Sequence, residues 1–317
     1  MRRVAIASII VLALLISLAA CSSPMPTVND GGSEGARPLR IVATTSIVAD
    51  VVTQVAGEHA SVTTLLPLGA DPHAFAPSPR DLATLHEADA IMANGAGLEE
   101  FLEGYLASAG QDVPVIYLSE GITLRAFGEH DDEGEQPGDV HEDGDPHTWT
   151  SPLNVMVFAR NAADALAALD PANAEAYHAN ADAYVAALEE LDRWIQAQID
   201  TVPAENRVLV SDHDVFGYYA DRYGLEQLGA IVPAFSSAAQ PSARELADLQ
   251  TAMRERGVQV VFVGTSANPN LAERVAADLG IQVVVLYTGS LGEAGSGAET
   301  YIDYMRYNTT AIVQALR

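Results

Sequence analysis

The chain holds a single cysteine, Cys21, among 317 residues. No internal disulfide framework can form, so packing must carry the stability. Thiolate zinc-finger sites are excluded for the same reason. Positive charge is scarce as well: 16 basic residues stand against 43 acidic ones, a formal net charge of −27 at pH 7. A surface of that sign repels nucleic acid and anionic lipid while concentrating cations. Aromatics make up 6% of the residues, which speaks against an aromatic pocket for organic solutes or an adhesin surface. No His-Glu-x-x-His pair occurs, and Gly-x-Ser-x-Gly is matched only at Gly31–Gly35, in a small polar stretch without the strand and helix that a nucleophile elbow needs, so two common hydrolase designs are absent. No second apolar stretch after the N-terminal one reaches membrane-spanning length.

What is present begins at the N-terminus. Met1-Arg2-Arg3 is a basic start, and Val4 to Ile16 is an unbroken run of apolar and small residues, too short for a stable span. Leu18-Ala19-Ala20-Cys21 closes it and resembles the bacterial lipoprotein cleavage box. Residues 1–20 thus read as a signal peptide and Cys21 as the lipid-carrying first residue of the mature chain. Residues 21–38 are small and polar without apolar period, a flexible tether. The expected protein is extracytoplasmic and lipid-anchored to a bacterial cell membrane.

From Leu39 onward, short β-branched runs alternate with helical patterns, the signature of βα units around a parallel sheet. Strands are expected at Leu39–Ala43, Ser61–Leu66, Ala90–Ala93 and Val115–Leu118, then at Arg207–Ser211, Glu226–Ile231, Val258–Val263 and Gln282–Leu286. Ser151–Leu169 reads as an amphipathic helix, and Asp170-Pro171 opens a second one with Asp at the N-cap, running to about Asp200. The predicted fold is α/β: two four-stranded parallel-sheet lobes, residues 39–150 and 204–317, joined by a long rigid linker helix within 151–203. Such sheets bind ligands at the carboxyl ends of their strands, here in the cleft between lobes.

Three histidines fall where that cleft is expected. His73 follows the second strand in Asp71-Pro72-His73, and His147 precedes the connecting helices in Asp145-Pro146-His147-Thr148-Trp149. His213 follows the fifth strand in Ser211-Asp212-His213-Asp214. Proline stiffens the backbone before two of them, and the adjacent carboxylates can orient imidazoles from behind. Two histidines from one lobe and one from the other would clamp a metal ion.

At these residues the chain resembles the zinc and manganese solute-binding proteins of ABC transporters, the ZnuA/TroA type. The resemblance spans Leu39 to Arg317 and includes Leu65-Leu66-Pro67, Asn94-Gly95-Ala96-Gly97-Leu98-Glu99, both Asp-Pro-His segments, Ser211 to Tyr218 and Tyr301 to Asn308. It implies a non-enzymatic protein with a metal held between two lobes, delivered to a membrane permease, and it matches His73, His147 and His213 to the family's histidine ligands. Two positions depart from it. Gly289 stands where the family carries an Asp ligand after the last strand, and Gly264 where a Glu is common. Three histidines plus water can complete a tetrahedral zinc site; another side chain filling the gap, or weakened binding, are the alternatives. An aspartate restored at 289 is expected to bring an oxygen to the metal.

The segment 128–145 is acidic, has no apolar period, and contributes His130 and His141 as possible accessory metal ligands, against the plain reading of a solvated charged loop. Imidazole-rich sites suit zinc, and carboxylate-rich ones suit manganese. The sequence reading is therefore zinc as the transported ion, with manganese as the alternative and a zinc-dependent hydrolase as a rival of another class.

Overall fold

The computed structural model describes residues 37–109, 113–126 and 144–317. Cys21, His130 and His141 lie outside the described residues, as do the signal segment and most of the acidic loop.

The first lobe runs β1 (Leu39–Ala43), α1 (Ser46–Ala56), β2 (Ala60–Thr64), α2 (Pro79–His86), β3 (Ala90–Ala93), α3 (Glu100–Ala109) and β4 (Val115–Tyr117). Two helices follow, α4 (Pro152–Leu169) and α5 (Ala174–Ile199). The second lobe runs β5 (Val208–His213), α6 (Gly217–Tyr223), β6 (Glu226–Val232), α7 (Ala243–Glu255), β7 (Val260–Gly264), α8 (Asn270–Leu279), β8 (Gln282–Leu286) and α9 (Tyr301–Leu316). The sheets are ordered β2-β1-β3-β4 and β6-β5-β7-β8, every pairing parallel, so the halves share one topology. In each, the chain leaves the central strand in opposite directions, and the crevice this creates opens at the strands' carboxyl ends.

Alternation along the strands fills both faces. Ile41 and Ala43 join one buried cluster, while Val42 between them joins another with Leu85, Ile91 and Leu102. The second sheet repeats this, with Val210, Val261 and Val263 packed beneath α7 and α8. The first cluster does not stop at the lobe boundary. It continues from Ile41 and Val51 through Phe158 of α4 and Leu188 of α5 to Tyr219, Phe262 and Tyr304.

Helix α5 carries its buried residues as a stripe, Tyr177, Ala181, Tyr184, Leu188, Leu191 and Ile195 among them. Its 26 residues reach about 39 Å and pack on α1 of one lobe and on α6 and α9 of the other. It begins later than the Asp170-Pro171 signal predicts. Pro171–Asn173 forms a 3-10 turn, because the Asp170 carboxylate accepts from Asn173 Nδ2 at 2.6 Å and from the Tyr177 hydroxyl at 2.9 Å instead of capping backbone N–H groups. Strand β5 is longer than its apolar run, since His213 still pairs in register with Val232 of β6. No helix among the described residues is long and apolar enough to cross a membrane.

Candidate metal centre

His213 ends β5 at the crevice of the second sheet, His73 sits in the loop after β2, and His147 occupies the turn before α4. One ring nitrogen from each lies within 4.8 Å of the others, the one group of this kind among the described residues. His147 and His213 are buried and His73 partly so.

Each histidine is paired with an aspartate in a repeated arrangement. The backbone N–H of His73 donates to Asp71 Oδ1 at 2.9 Å, and that of His147 to Asp145 Oδ1 at 2.9 Å. In both cases the carboxylate bonds the amide two residues on, which is the local turn that Asp favours and which the intervening proline stiffens. His213 N–H donates to the preceding residue, Asp212 Oδ1, at 2.8 Å. Ring contacts follow: His147 Nδ1–H donates to Asp145 Oδ1 at 2.9 Å, and His213 Nδ1–H to Asp212 Oδ1 at 3.0 Å. With the proton fixed on Nδ1, Nε2 of each presents a lone pair to the cavity. His147 Nε2 stands 3.1 Å from His73 Nε2. Two nitrogens bound to one tetrahedral zinc ion are about 3.3 Å apart, so a proton or a cation suits this gap.

The second oxygens of these carboxylates are also held. Gly264 N–H donates to Asp212 Oδ2 at 3.0 Å, the Ser237 hydroxyl donates to Asp71 Oδ2, and Arg125 Nη1 lies 3.3 Å from Asp145 Oδ2. Below His147, Asn94 at the end of β3 donates Nδ2–H to the Pro146 carbonyl at 3.0 Å. Asn94 is fixed in turn by fully buried Glu99, which accepts its N–H at 2.7 Å and the Thr44 hydroxyl at 2.8 Å.

Burial and charge set the protonation states. Desolvation, and then the charge of His213, holds His147 well below the ordinary imidazole value, so it is neutral. Desolvation pulls His213 down as well, but its hydrogen bond and ion pair with Asp212, then Asp71 and Asp214, leave it raised. Desolvation pushes Asp145 up to about 6 against the opposing pull of the His147 amide and Arg125.

The small cavity among these rings is lined by Asp71, Pro72, His73, His147, Trp149, His213, Ser266 and Gly289. Trp149 forms an aromatic wall 5.2 Å from the His147 ring and donates Nε1–H to the Thr288 carbonyl at 3.1 Å. At the two positions where the sequence lacks carboxylates, other atoms have moved in. A Cβ on Gly289 would fall 2.7 Å from Pro72 Cδ, and one on Gly264 would fall 2.2 Å from Thr288 Oγ1. An aspartate at 289, expected to bring an oxygen to the metal, would first have to displace Pro72. Sequence patterns also gave no notice of Arg125, Ser237 or Ser266. None of them sits in a motif, and Ser237 lies 166 positions from the aspartate it bonds.

Residues 41–315 match the family model described as zinc-uptake complex component A, periplasmic. The manganese-binding lipoprotein MntA of Halalkalibacterium halodurans is 33% identical over 310 residues, covering 98% of this chain and 97% of that protein. The periplasmic zinc-binding protein TroA from Treponema pallidum superposes with a TM-score of 0.78 at 25% identity, over 88% of this chain and 99% of TroA. The manganese-bound periplasmic metal-binding protein from Candidatus Liberibacter asiaticus gives a TM-score of 0.77 at 28% identity, over 88% of this chain and 100% of the other. The chain therefore belongs to the family of extracytoplasmic, membrane-anchored solute-binding components of metal ABC importers, which are binding proteins and not enzymes.

Proposed function

We propose that this protein captures a divalent transition metal with His73, His147 and His213, and passes it to the permease of an ABC importer while lipid on Cys21 holds it at the membrane. One observation carries the site: three imidazole nitrogens converge within 4.8 Å in a buried cavity, two of them with their protons drawn to the far side of the ring by aspartates.

The relatives make manganese the better supported cargo, since it is the ion named for MntA and bound in the Liberibacter protein. A specific observation favours zinc as the second reading. The converging group is three nitrogens with no carboxylate, a donor set that suits zinc and serves manganese poorly. Binding alone does not decide between them, because zinc outranks manganese at almost any such site. Uptake does.

The test is titration of the full chain with zinc and with manganese, beside His73→Ala, His147→Ala, His213→Ala and a control, His178→Ala. Each ligand variant should lose at least tenfold in affinity, and the control should lose none. Import of each ion by cells carrying the transporter then assigns the cargo. A wild type that binds neither ion, or ligand variants that bind as well as wild type, would overturn the reading.

A further inference from the structure

The three aspartates behind the histidines each accept their histidine's backbone N–H, two of them also a ring Nδ1–H, and they differ in what secures them. Asp212 is secured by a backbone N–H of β7, Gly264, which no substitution except proline removes. Asp71 is secured by the hydroxyl of Ser237. Asp145 is secured by a guanidinium, with Arg125 Nη1 3.3 Å from its Oδ2. The Asp145 side chain has no solvent exposure, whereas Arg125 is 26% exposed, so the arginine stands between a buried carboxylate and water.

Arg125 does not hold Asp145 alone. Its Nε–H donates to Asp221 Oδ2 on α6 at 2.6 Å, and α6 belongs to the other lobe. Its backbone N–H donates to the Tyr218 hydroxyl at 3.0 Å, and that hydroxyl donates to the Asp145 carbonyl at 2.8 Å. Its carbonyl accepts the Asp145 N–H at 2.9 Å. The guanidinium lies directly over Gly217, where a Cβ would come within 1.8 Å of Nη1, so α6 starts with the residue that leaves room for it. Every one of the chain's 16 basic residues is an arginine. Here the fork matters, because one guanidinium serves two carboxylates in different directions, which an ammonium on a flexible stem does less well.

Resting on the proposed metal site, we infer that Arg125 is a positioning residue: through Asp145 it fixes the orientation and tautomer of His147, and through Asp221 it ties that histidine to the second lobe. Without Arg125, Oδ2 of Asp145 has no other hydrogen-bond partner among the described residues, and the carboxylate is held only through Oδ1, by His147 itself. His147 Nδ1 then loses its fixed acceptor, and the ring can place its proton on Nε2, the atom that must be bare to bind metal. A simple surface ion pair would do none of this. The Asp221 arm on its own looks like one, since Asp221 is 63% exposed.

The experiment uses the full chain, wild type beside Arg125→Gln, Arg125→Lys and Asp221→Asn. It measures zinc affinity by chelator competition, zinc release by stopped flow, and ring tautomers by 15N-histidine NMR of the metal-free protein. Arg125→Gln should weaken zinc binding 10- to 100-fold, mostly through faster release, and should turn the single Nδ1–H tautomer of His147 into a mixture. Arg125→Lys should recover part of both. Asp221→Asn should speed release while leaving the tautomer intact. Wild-type affinity and tautomer in Arg125→Gln, or a lower melting temperature with both unchanged, overturn the inference. Should Arg125→Gln fail to fold, Arg125→Lys and Asp221→Asn decide: wild-type release and tautomer in both reject it. Were the wild type to bind no metal, the proposed function would fall, yet the tautomer measurement would still judge Arg125.

Discussion

Gly289 has no room for the side chain that the family resemblance expects there, because Pro72 of the opposite loop closes over it at 2.7 Å from the missing Cβ. The absence of a carboxylate at 289 goes with the close approach of Pro72, and the proposed centre offers three nitrogens. Gly289→Asp should consequently destabilise the protein by about 1–3 kcal/mol through overpacking, without tightening zinc or manganese binding. Adding Pro72→Ala should restore part of the stability, and thermal melts of the two single variants and the double variant measure that coupling. Tighter manganese binding at an unchanged melting temperature in Gly289→Asp would contradict this. His73 and His147 stood out in the sequence because the doubled Asp-Pro-His segments carry their own turn chemistry, and His213 because it follows an apolar strand; the structure brings the three together. Arg125 was not legible. What it does depends on Asp221 and Tyr218, nearly a hundred positions away, and a lone arginine beside an acidic stretch has no local pattern to read.

Strand and helix identities followed from periodicity, and their ends did not. Polar Asp212 and His213 hid the last residues of β5, and Asp170 looked like a cap while serving Asn173 and Tyr177. Helix α5 shows what periodicity misses inside an element. Asp192 lies in its apolar stripe, almost wholly buried, and accepts from Arg222 Nε–H at 2.9 Å, Arg222 Nη2–H at 2.6 Å and the Tyr223 hydroxyl at 3.0 Å. This one carboxylate fastens the linking helix to α6. Asp192→Ala strands a buried hydroxyl and an arginine and should cost about 2–3 kcal/mol in urea unfolding. Tyr223→Phe removes only one partner and should cost about 1 kcal/mol. Zinc affinity of either folded variant should stay within threefold of wild type, since neither residue reaches the histidines. A tenfold loss would mean that α5 transmits strain to the centre.

The molecule as a whole should respond to acid in opposite ways with and without its ion. Asp50, Glu99, Asp145 and Asp214 are all held above the ordinary carboxyl value, desolvation being the leading cause in each. A carboxyl raised by folding binds its proton more readily in the folded chain, so its contribution is full below the unfolded value and is lost as pH rises through the folded one. For Asp145, raised from 3.8 to about 6, the difference is about 3 kcal/mol. His213 has the same sign, its contribution disappearing as pH climbs above 6.5, while His147 opposes it by staying neutral in the fold. With a net charge of −27, relief of repulsion adds to the acids. The metal-free protein should thus melt at a higher temperature at pH 5.5 than at pH 7.5. The zinc-loaded protein should do the reverse, because protons displace the ion from His213. Calorimetry at the two pH values, with and without zinc, tests both signs, and parallel shifts would refute the argument. The buried cluster running from Ile41 through α4 and α5 to Tyr304 has a consequence for how the cargo leaves. Swinging the lobes apart would strip that shared interior, at about 25 cal/mol for every Å² wetted. The halves should therefore melt as one cooperative unit in a single transition, and the ion should depart by rearrangement of the short segments carrying His73 and His213, with the spine behind them intact.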